Sequence, residues 1–365
     1  MREIGPWRKG LVKRKPTAYL TAAMQTLRTL KALEREGLVE ADPRLAEAAR
    51  SMAIALTPEL AGLIDRTDLA RDPIARQFVP DIRETEIAPE ERADPIGDEV
   101  RSPVKGIVHR YPDRVLLKPL HVCPVYCRFC FRREKVGPGG EALNATELAA
   151  ALAYIRDHSE IWEVILTGGD PLMMAPRRLG QLIEALDGIP HVAVIRVHTR
   201  VPVADAGRVT DELVAALKPK RAGLWIGVHC NHPRELAAPA RAALTRLADT
   251  GFPLLSQTVL LAGINDDVET LCALMRALVS ARVKPYYLHH PDLVRGTGHF
   301  RVSIARGQEL MGALRGRLSG LAQPTYVLDV PGGHGKVPVG PGYLGDDPDA
   351  LWVRDAFGET HRYPG

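Results

Sequence analysis

From about residue 115 onward, short apolar runs alternate with longer stretches in which apolar residues recur every three or four positions. The short runs lie at 115–120, 164–166, 192–197, 224–228, 254–261 and 285–288, with a seventh at 326–328. They read as buried strands. The longer stretches, at about 145–158, 177–187, 208–218, 233–250, 267–282 and 303–320, read as helices. Such alternation predicts an α/β fold with a parallel sheet and right-handed crossovers. Six βα units suggest a partial (β/α)6 barrel, and β/α barrels place their chemistry on loops after the C-terminal ends of strands.

The first hundred residues follow a different pattern. Residues 17 to about 37 have Leu27, Leu30 and Leu33 at helical spacing, with Gly37 as a C-cap. Residues 43–64 read as one or two further helices, a cover or an oligomer contact without chemistry of its own. The acidic stretch 81–99, with Pro89 and Pro95, reads as an extended linker on the surface. The expected division is an N-terminal helical region with a linker (1–100), a partial barrel (101–323) and a C-terminal loop and tail (324–365).

Composition narrows the class. The 365 residues are 45% hydrophobic and 25% charged, ordinary for a soluble globular protein. The net charge of +4 is slight and gives no reason to expect a nucleic-acid partner. Five cysteines, three of them clustered, do not make a secreted disulfide framework and fit a reducing cytosol. The start, Met1-Arg2-Glu3-Ile4-Gly5-Pro6-Trp7, has no apolar run after it, so no signal peptide is readable. No stretch approaches the ~18 apolar residues of a membrane span.

The cluster is His121-Val122-Cys123-Pro124-Val125-Tyr126-Cys127-Arg128-Phe129-Cys130, a C-x3-C-x2-C loop that follows the first strand. Thiolates suit iron–sulfur clusters and zinc. A structural zinc site usually closes with four ligands. Three thiolates on a four-iron cluster leave one iron open to a non-protein ligand. The alternatives are three unconnected thiols or a partial zinc site. Further polar groups recur at successive strand ends: Gly168-Gly169-Asp170, His198-Thr199-Arg200, His229-Cys230-Asn231-His232 and Ser256-Gln257-Thr258. Each alone could be a turn, a cap or a core polar group, but their recurrence points to a shared ligand. Cys230 and Cys272 read as ordinary buried thiols. Lys336, in Asp329-Val330-Pro331-Gly332-Gly333-His334-Gly335-Lys336, is not a P-loop lysine, because the required glycine is missing and Val337 follows it. A lysine on a glycine loop can form a Schiff base; otherwise it is a surface lysine in a turn.

The cysteine loop resembles that of the radical S-adenosylmethionine (SAM) enzymes. Together with Phe131-Arg132-Arg133, Gly168-Gly169-Asp170-Pro171-Leu172, Pro285-Tyr286-Tyr287, Asp292 and the Lys336 loop, residues 80 to 345 resemble lysine 2,3-aminomutase. The run from Ser102-Pro103-Val104 through His109-Arg110-Tyr111-Pro112-Asp113-Arg114 belongs to the same likeness. The resemblance implies that Cys123, Cys127 and Cys130 bind a [4Fe–4S] cluster. Gly168, Gly169, Asp170, Arg200, His229 and Gln257 would contact SAM. Lys336 would bind pyridoxal 5′-phosphate (PLP), with Arg110 and Arg114 near its phosphate. Arg132 would pair the substrate carboxylate, and Asp292 with Asp329 would hold the distal ammonium of lysine.

The implied reaction is isomerisation of L-lysine to β-lysine, started when a 5′-deoxyadenosyl radical takes a hydrogen from C3. The implied partners are an amino acid substrate, an electron donor such as flavodoxin or ferredoxin, and a second copy of the chain in a dimer, in the cytoplasm and without a membrane. Longer lysine aminomutases carry extra cysteines for a zinc ion. Gly263-Ile264-Asn265-Asp266-Asp267 and the tail Phe357–Gly365 have none, so no zinc is expected. Alternatives are a 2,3-aminomutase acting on glutamate, the branch linked to elongation factor P, and a non-catalytic iron–sulfur or zinc protein.

Overall fold

Buried β-branched and leucine runs form the centre of the molecule. The computed structural model describes residues 25–137, 142–345 and 352–362. The central strands are β1 (Ile107–Tyr111), β2 (Arg114–Leu120), β3 (Glu163–Gly168), β4 (Val194–Thr199), β5 (Gly223–His229), β6 (Leu254–Val259), β7 (Val283–His289), β8 (Thr325–Val330) and β9 (Gly335–Pro338). They lie side by side in chain order in one sheet. Pairing is parallel from β2 through β8, and antiparallel hairpins close the two edges. The expected strands are present, with ends that differ from expectation by no more than two residues. The β9 strand was not expected, because Gly335-Lys336-Val337-Pro338 carries no alternation to announce it.

Helices on the outer face complete the βα units: Ala145–Asp157, Pro176–Asp187, Asp211–Ala216, Ala238–Asp249, Val268–Ser280 and Ile304–Arg315. Their ends are set locally. Asn144 and Glu147 form a reciprocal capping box at the start of the first. Asp267 accepts from Thr270 N at the start of the fifth. Leu166, Val197, Ile226, Leu244 and Leu274 belong to one core between these helices and the sheet. Among the described residues no helix is long and apolar enough to cross a membrane.

The N-terminal region differs from its expected form. Residues 17–24 lie outside the described residues. Among the described residues of this stretch the helix spans Leu30–Arg35, and Leu27 bridges Leu56. Pro43–Ser51 and Pro58–Ala61 are the further helices. Their apolar residues, with Phe78, pack on Val125 of the cysteine loop and on Ala204, so this region supports the loop from behind.

Segment 81–99 is not a surface linker either. It buries three carboxylates, Glu84, Glu91 and Asp98. Glu84 accepts from Arg128 Nε at 2.8 Å and Nη2 at 2.6 Å, and from Arg133 Nη2 at 2.5 Å. All three side chains are almost fully buried. Truncating one member of such a triad leaves a buried charge uncompensated, at a cost of about 3–5 kcal/mol. Glu84→Ala should therefore lower the urea midpoint sharply. Glu99→Ala, which breaks an exposed pair with Lys135, should change stability by no more than about 1 kcal/mol. Urea unfolding of both variants checks the contrast.

Candidate functional site

The loop after β2 places Cys123, Cys127 and Cys130 in one cavity with Gly168, Gly169, Asp170, Arg200 and His229. Burial pushes all three thiols up, Cys130 to about 11. Cys123 is raised further by Asp170 and by the other two cysteines. Thiols in this state become thiolates when a metal centre binds them.

The glycine pair docks two loops. Gly169 N donates to Leu120 O at 2.7 Å and Asp170 N to Val122 O at 2.9 Å. A Cβ on Gly169 would lie 2.4 Å from Val122 O, so only glycine fits there. The Asp170 carboxylate is well occupied. It accepts from Leu172 N at 3.0 Å, Thr199 Oγ1 at 2.7 Å, Arg200 N at 2.6 Å and Val201 N at 3.1 Å. It fastens the end of β4 to the end of β3, and burial raises its pKa against those bonds. Arg200 is also held by the protein. Its Nη2 donates to Gln77 Oε1 at 2.8 Å and Glu235 Oε2 at 2.5 Å, and its Nη1 to Cys127 Sγ at 3.4 Å. Arg200 Nε and His198 Nε2 are buried without a hydrogen-bond partner, and both residues line the cavity. His229 is held neutral, its pKa pushed down to about 3 by burial and by nearby Arg200.

A second group forms around Lys336. The β8–β9 hairpin sets Asp329 opposite Lys336. Its turn needs Gly332 and Gly333 at φ of 84° and 82°. Lys336 Nζ donates to Asp329 Oδ2 and lies 3.3 Å from His289 Nδ1. Burial alone would raise the Asp329 carboxyl, but His289 and Lys336 hold it well below the usual carboxylate range. Gln257 Oε1 accepts from His289 Nε2 at 2.6 Å, so His289 Nδ1 is the acceptor facing Lys336. Arg110 Nη1 is 3.5 Å from Asp329 Oδ1, and its Nε is buried without a partner. Arg114 stacks 3.7 Å over the ring of Tyr111, whose hydroxyl accepts from Lys336 N at 2.6 Å.

Arg132 and Asp292 lie on the wall shared with the cysteine cavity. Arg132 donates from Nε to Asp98 at 2.9 Å and from Nη1 to Thr167 at 3.3 Å. Asp98 also pairs with Arg110 at 3.4 Å and Lys118 at 3.6 Å. The Asp292 carboxylate has no hydrogen bond or ion pair among the described residues. Burial and the negative charge of Asp329 push its pKa up to about 7. The expected cysteines, Gly168, Gly169, Asp170, Arg200 and His229 thus lie at the C-terminal ends of the parallel strands, whereas Arg110 lies on β1 and Arg114 opens β2 at the opposite end. Asp98, His289, Tyr111, Gln77 and Glu235 were not expected, because no motif or period marks them.

A partial barrel carrying a three-cysteine loop at this edge defines a radical SAM protein. The Radical SAM superfamily model matches residues 117–275, and the Lysine-2,3-aminomutase model matches residues 311–363. The chain belongs to the L-lysine 2,3-aminomutase family. It is 43% identical over 291 residues to L-lysine 2,3-aminomutase of Methanococcus maripaludis, covering 80% of this chain and 67% of the relative. It is 38% identical over 366 residues to L-lysine 2,3-aminomutase of Bacillus subtilis, covering 100% and 77%. It is 39% identical over 290 residues to glutamate 2,3-aminomutase of Clostridioides difficile, covering 80% and 68%. Membership of the superfamily implies use of an iron–sulfur cluster and SAM.

The pKa of Asp292 yields a stability test. A carboxyl raised from 3.8 to about 7 on folding destabilises the folded protein increasingly as pH climbs through that interval. Asp292→Asn removes the effect. Without cofactors, its gain in melting temperature over wild type should be larger at about pH 8 than at about pH 5. Equal gains at both would contradict the assignment.

Proposed function

We propose that this chain is a radical SAM, PLP-dependent 2,3-aminomutase that converts L-lysine to β-lysine. The observation that supports lysine over an acidic substrate is the charge at the Lys336 site. One ammonium, that of Lys336, already rests on Asp329, while the half-buried Asp292 has no ion pair among the described residues and feels the charge of Asp329. A second cation completes this pair of carboxylates, and a second carboxylate is repelled by it.

In this reading Cys123, Cys127 and Cys130, which line the cavity, would hold a [4Fe–4S] cluster with one iron left open to a non-protein ligand. The buried, unpartnered His198 Nε2 fits a polar ligand such as SAM there, with Gly168, Gly169, Asp170 and His229 around it, while Gln257, in register with His229, bonds His289. Lys336 holds PLP, and the unpartnered Arg110 Nε, with Arg114 nearby, suits a phosphate. The cluster with SAM supplies a hydrogen-abstracting radical, and PLP a carbonyl that carries the migrating amino group.

The chain's own residues do the remaining work. Arg132 pairs the substrate carboxylate, and Asp98 fixes its guanidinium. Asp292 and Asp329 take the distal ammonium once Lys336 is engaged. His289, held by Gln257, packs its Nδ1 3.3 Å from Lys336 Nζ and orients that side chain. Residues 101–323 supply the cysteines together with Arg110 and Arg114, 324–365 supply Lys336 and Asp329, and the N-terminal region supplies Asp98 and the support behind the cysteine loop. A flavodoxin or ferredoxin donates the electron, and a dimer without zinc is the working form.

The test is an anaerobic assay of the reconstituted protein with SAM, PLP, reductant and either lysine or glutamate. β-Lysine without β-glutamate is expected. The reverse outcome would show that Asp292 and Asp329 do not set the specificity. Lys336→Ala should abolish turnover while keeping the brown cluster absorbance. Normal turnover in that variant would remove Lys336 from the chemistry.

A further inference from the structure

Arg200 stands at the end of β4, where a direct contact to SAM is the obvious expectation. Its surroundings indicate a different task. The guanidinium is buried and fixed from several sides. Nη2 is shared between Gln77 Oε1 and Glu235 Oε2, and the aromatic rings of Phe78 and Phe129 lie 4.8 Å and 5.7 Å from its Cζ. Glu235 is itself locked. Its Oε1 accepts from Gln77 Nε2 at 3.1 Å, Asn231 N at 3.0 Å and His232 N at 2.9 Å. Gln77 Oε1 accepts in turn from Asn231 Nδ2 at 3.1 Å. This network spends its directional bonds on orienting one cation, and that cation's Nη1 meets Cys127 Sγ at 3.4 Å. Cys123 and Cys130 have no side-chain donor of this kind among the described residues.

We propose that Arg200 is a positioning residue that sets the reduction potential of the cluster through Cys127. The inference rests on the reading of Cys123, Cys127 and Cys130 as cluster ligands. A hydrogen bond to a ligating sulfur and a nearby positive charge both favour the reduced cluster, which carries one more negative charge. The burial of the pair keeps solvent from screening this effect. Glu235 works against Arg200 electrostatically but holds its fork on the sulfur. The four side chains Gln77, Arg200, Asn231 and Glu235 thus form a device that directs one positive edge at one ligand.

The test is a mediated redox titration of the anaerobically reconstituted protein, followed by the electron paramagnetic resonance signal of the reduced cluster. Equilibrium binding of SAM is measured in parallel. Arg200→Gln should shift the midpoint potential downward, Arg200→Lys should shift it by less, and Glu235→Gln, which removes the counter-charge, should shift it upward. SAM affinity should stay at the wild-type level in Arg200→Lys. An unshifted potential with lost SAM affinity in the Arg200 variants would overturn the proposal and make Arg200 a SAM contact. If Arg200→Gln does not retain its cluster, the opposite shifts of Arg200→Lys and Glu235→Gln decide, and unshifted potentials in both overturn the proposal. Absence of any cluster signal in the wild type would instead overturn the reading of the cysteines.

Discussion

A single buried carboxylate, that of Glu84, fixes the loop on which the chemistry depends. Arg128 and Arg133 flank Cys130 in sequence, and both guanidinium groups converge on Glu84. Arg128 also donates to the carbonyls of Ala53 at 3.1 Å and Ala48 at 3.3 Å, and Arg133 to Gly296 O at 3.2 Å. The cysteine loop is therefore tied at once to the N-terminal helices, to segment 81–99 and to the loop after β7. Val125 and Tyr126 anchor the loop in apolar surroundings on one side. Charge pairing in a dry interior supplies the rigidity, because each partner becomes costly once separated.

The same segment organises the other half of the site. Pro95 O accepts from Gly332 N at 3.2 Å, and a Cβ on Gly97 would strike the Gly332–Gly333 peptide at 2.7 Å. Three residues after Pro95, Asp98 gathers Arg110, Lys118 and Arg132. The cysteine side and the Lys336 side are thereby set by one stretch of chain. One route of contact joins them, Arg132–Asp98–Arg110–Asp329. This shared frame lets groups placed far apart in sequence keep a fixed geometry.

Much of this was legible in the sequence, and the legible part has a physical reason. Strands such as Val164-Ile165-Leu166 and helices capped by Asn144 or Asp267 are specified locally, by period and by capping. The three cysteines and the glycine–lysine loop are legible because few structures other than ligand sites use such residues at such spacing. Segment 81–99 was misread because acidic, proline-bearing sequence usually stays in water. Glu84 and Asp98 are buried only because arginines from remote positions meet them. Asp170 and Arg200 were placed correctly at strand ends, yet their bonding to Thr199, Val201, Gln77 and Glu235 is tertiary and leaves no local pattern. His289, joining Gln257 to Lys336, is hidden for the same reason.

The central claim is that the cysteine side and the Lys336 side act on the same molecule of substrate. Anaerobic turnover of L-lysine deuterated at C3, with SAM and PLP, tests it most directly through mass spectrometry of the products. Deuterium in 5′-deoxyadenosine together with labelled β-lysine is the expected result. 5′-Deoxyadenosine formed without deuterium would contradict the account, because SAM cleavage would then be uncoupled from the amino acid that Lys336 and its two aspartates are proposed to hold.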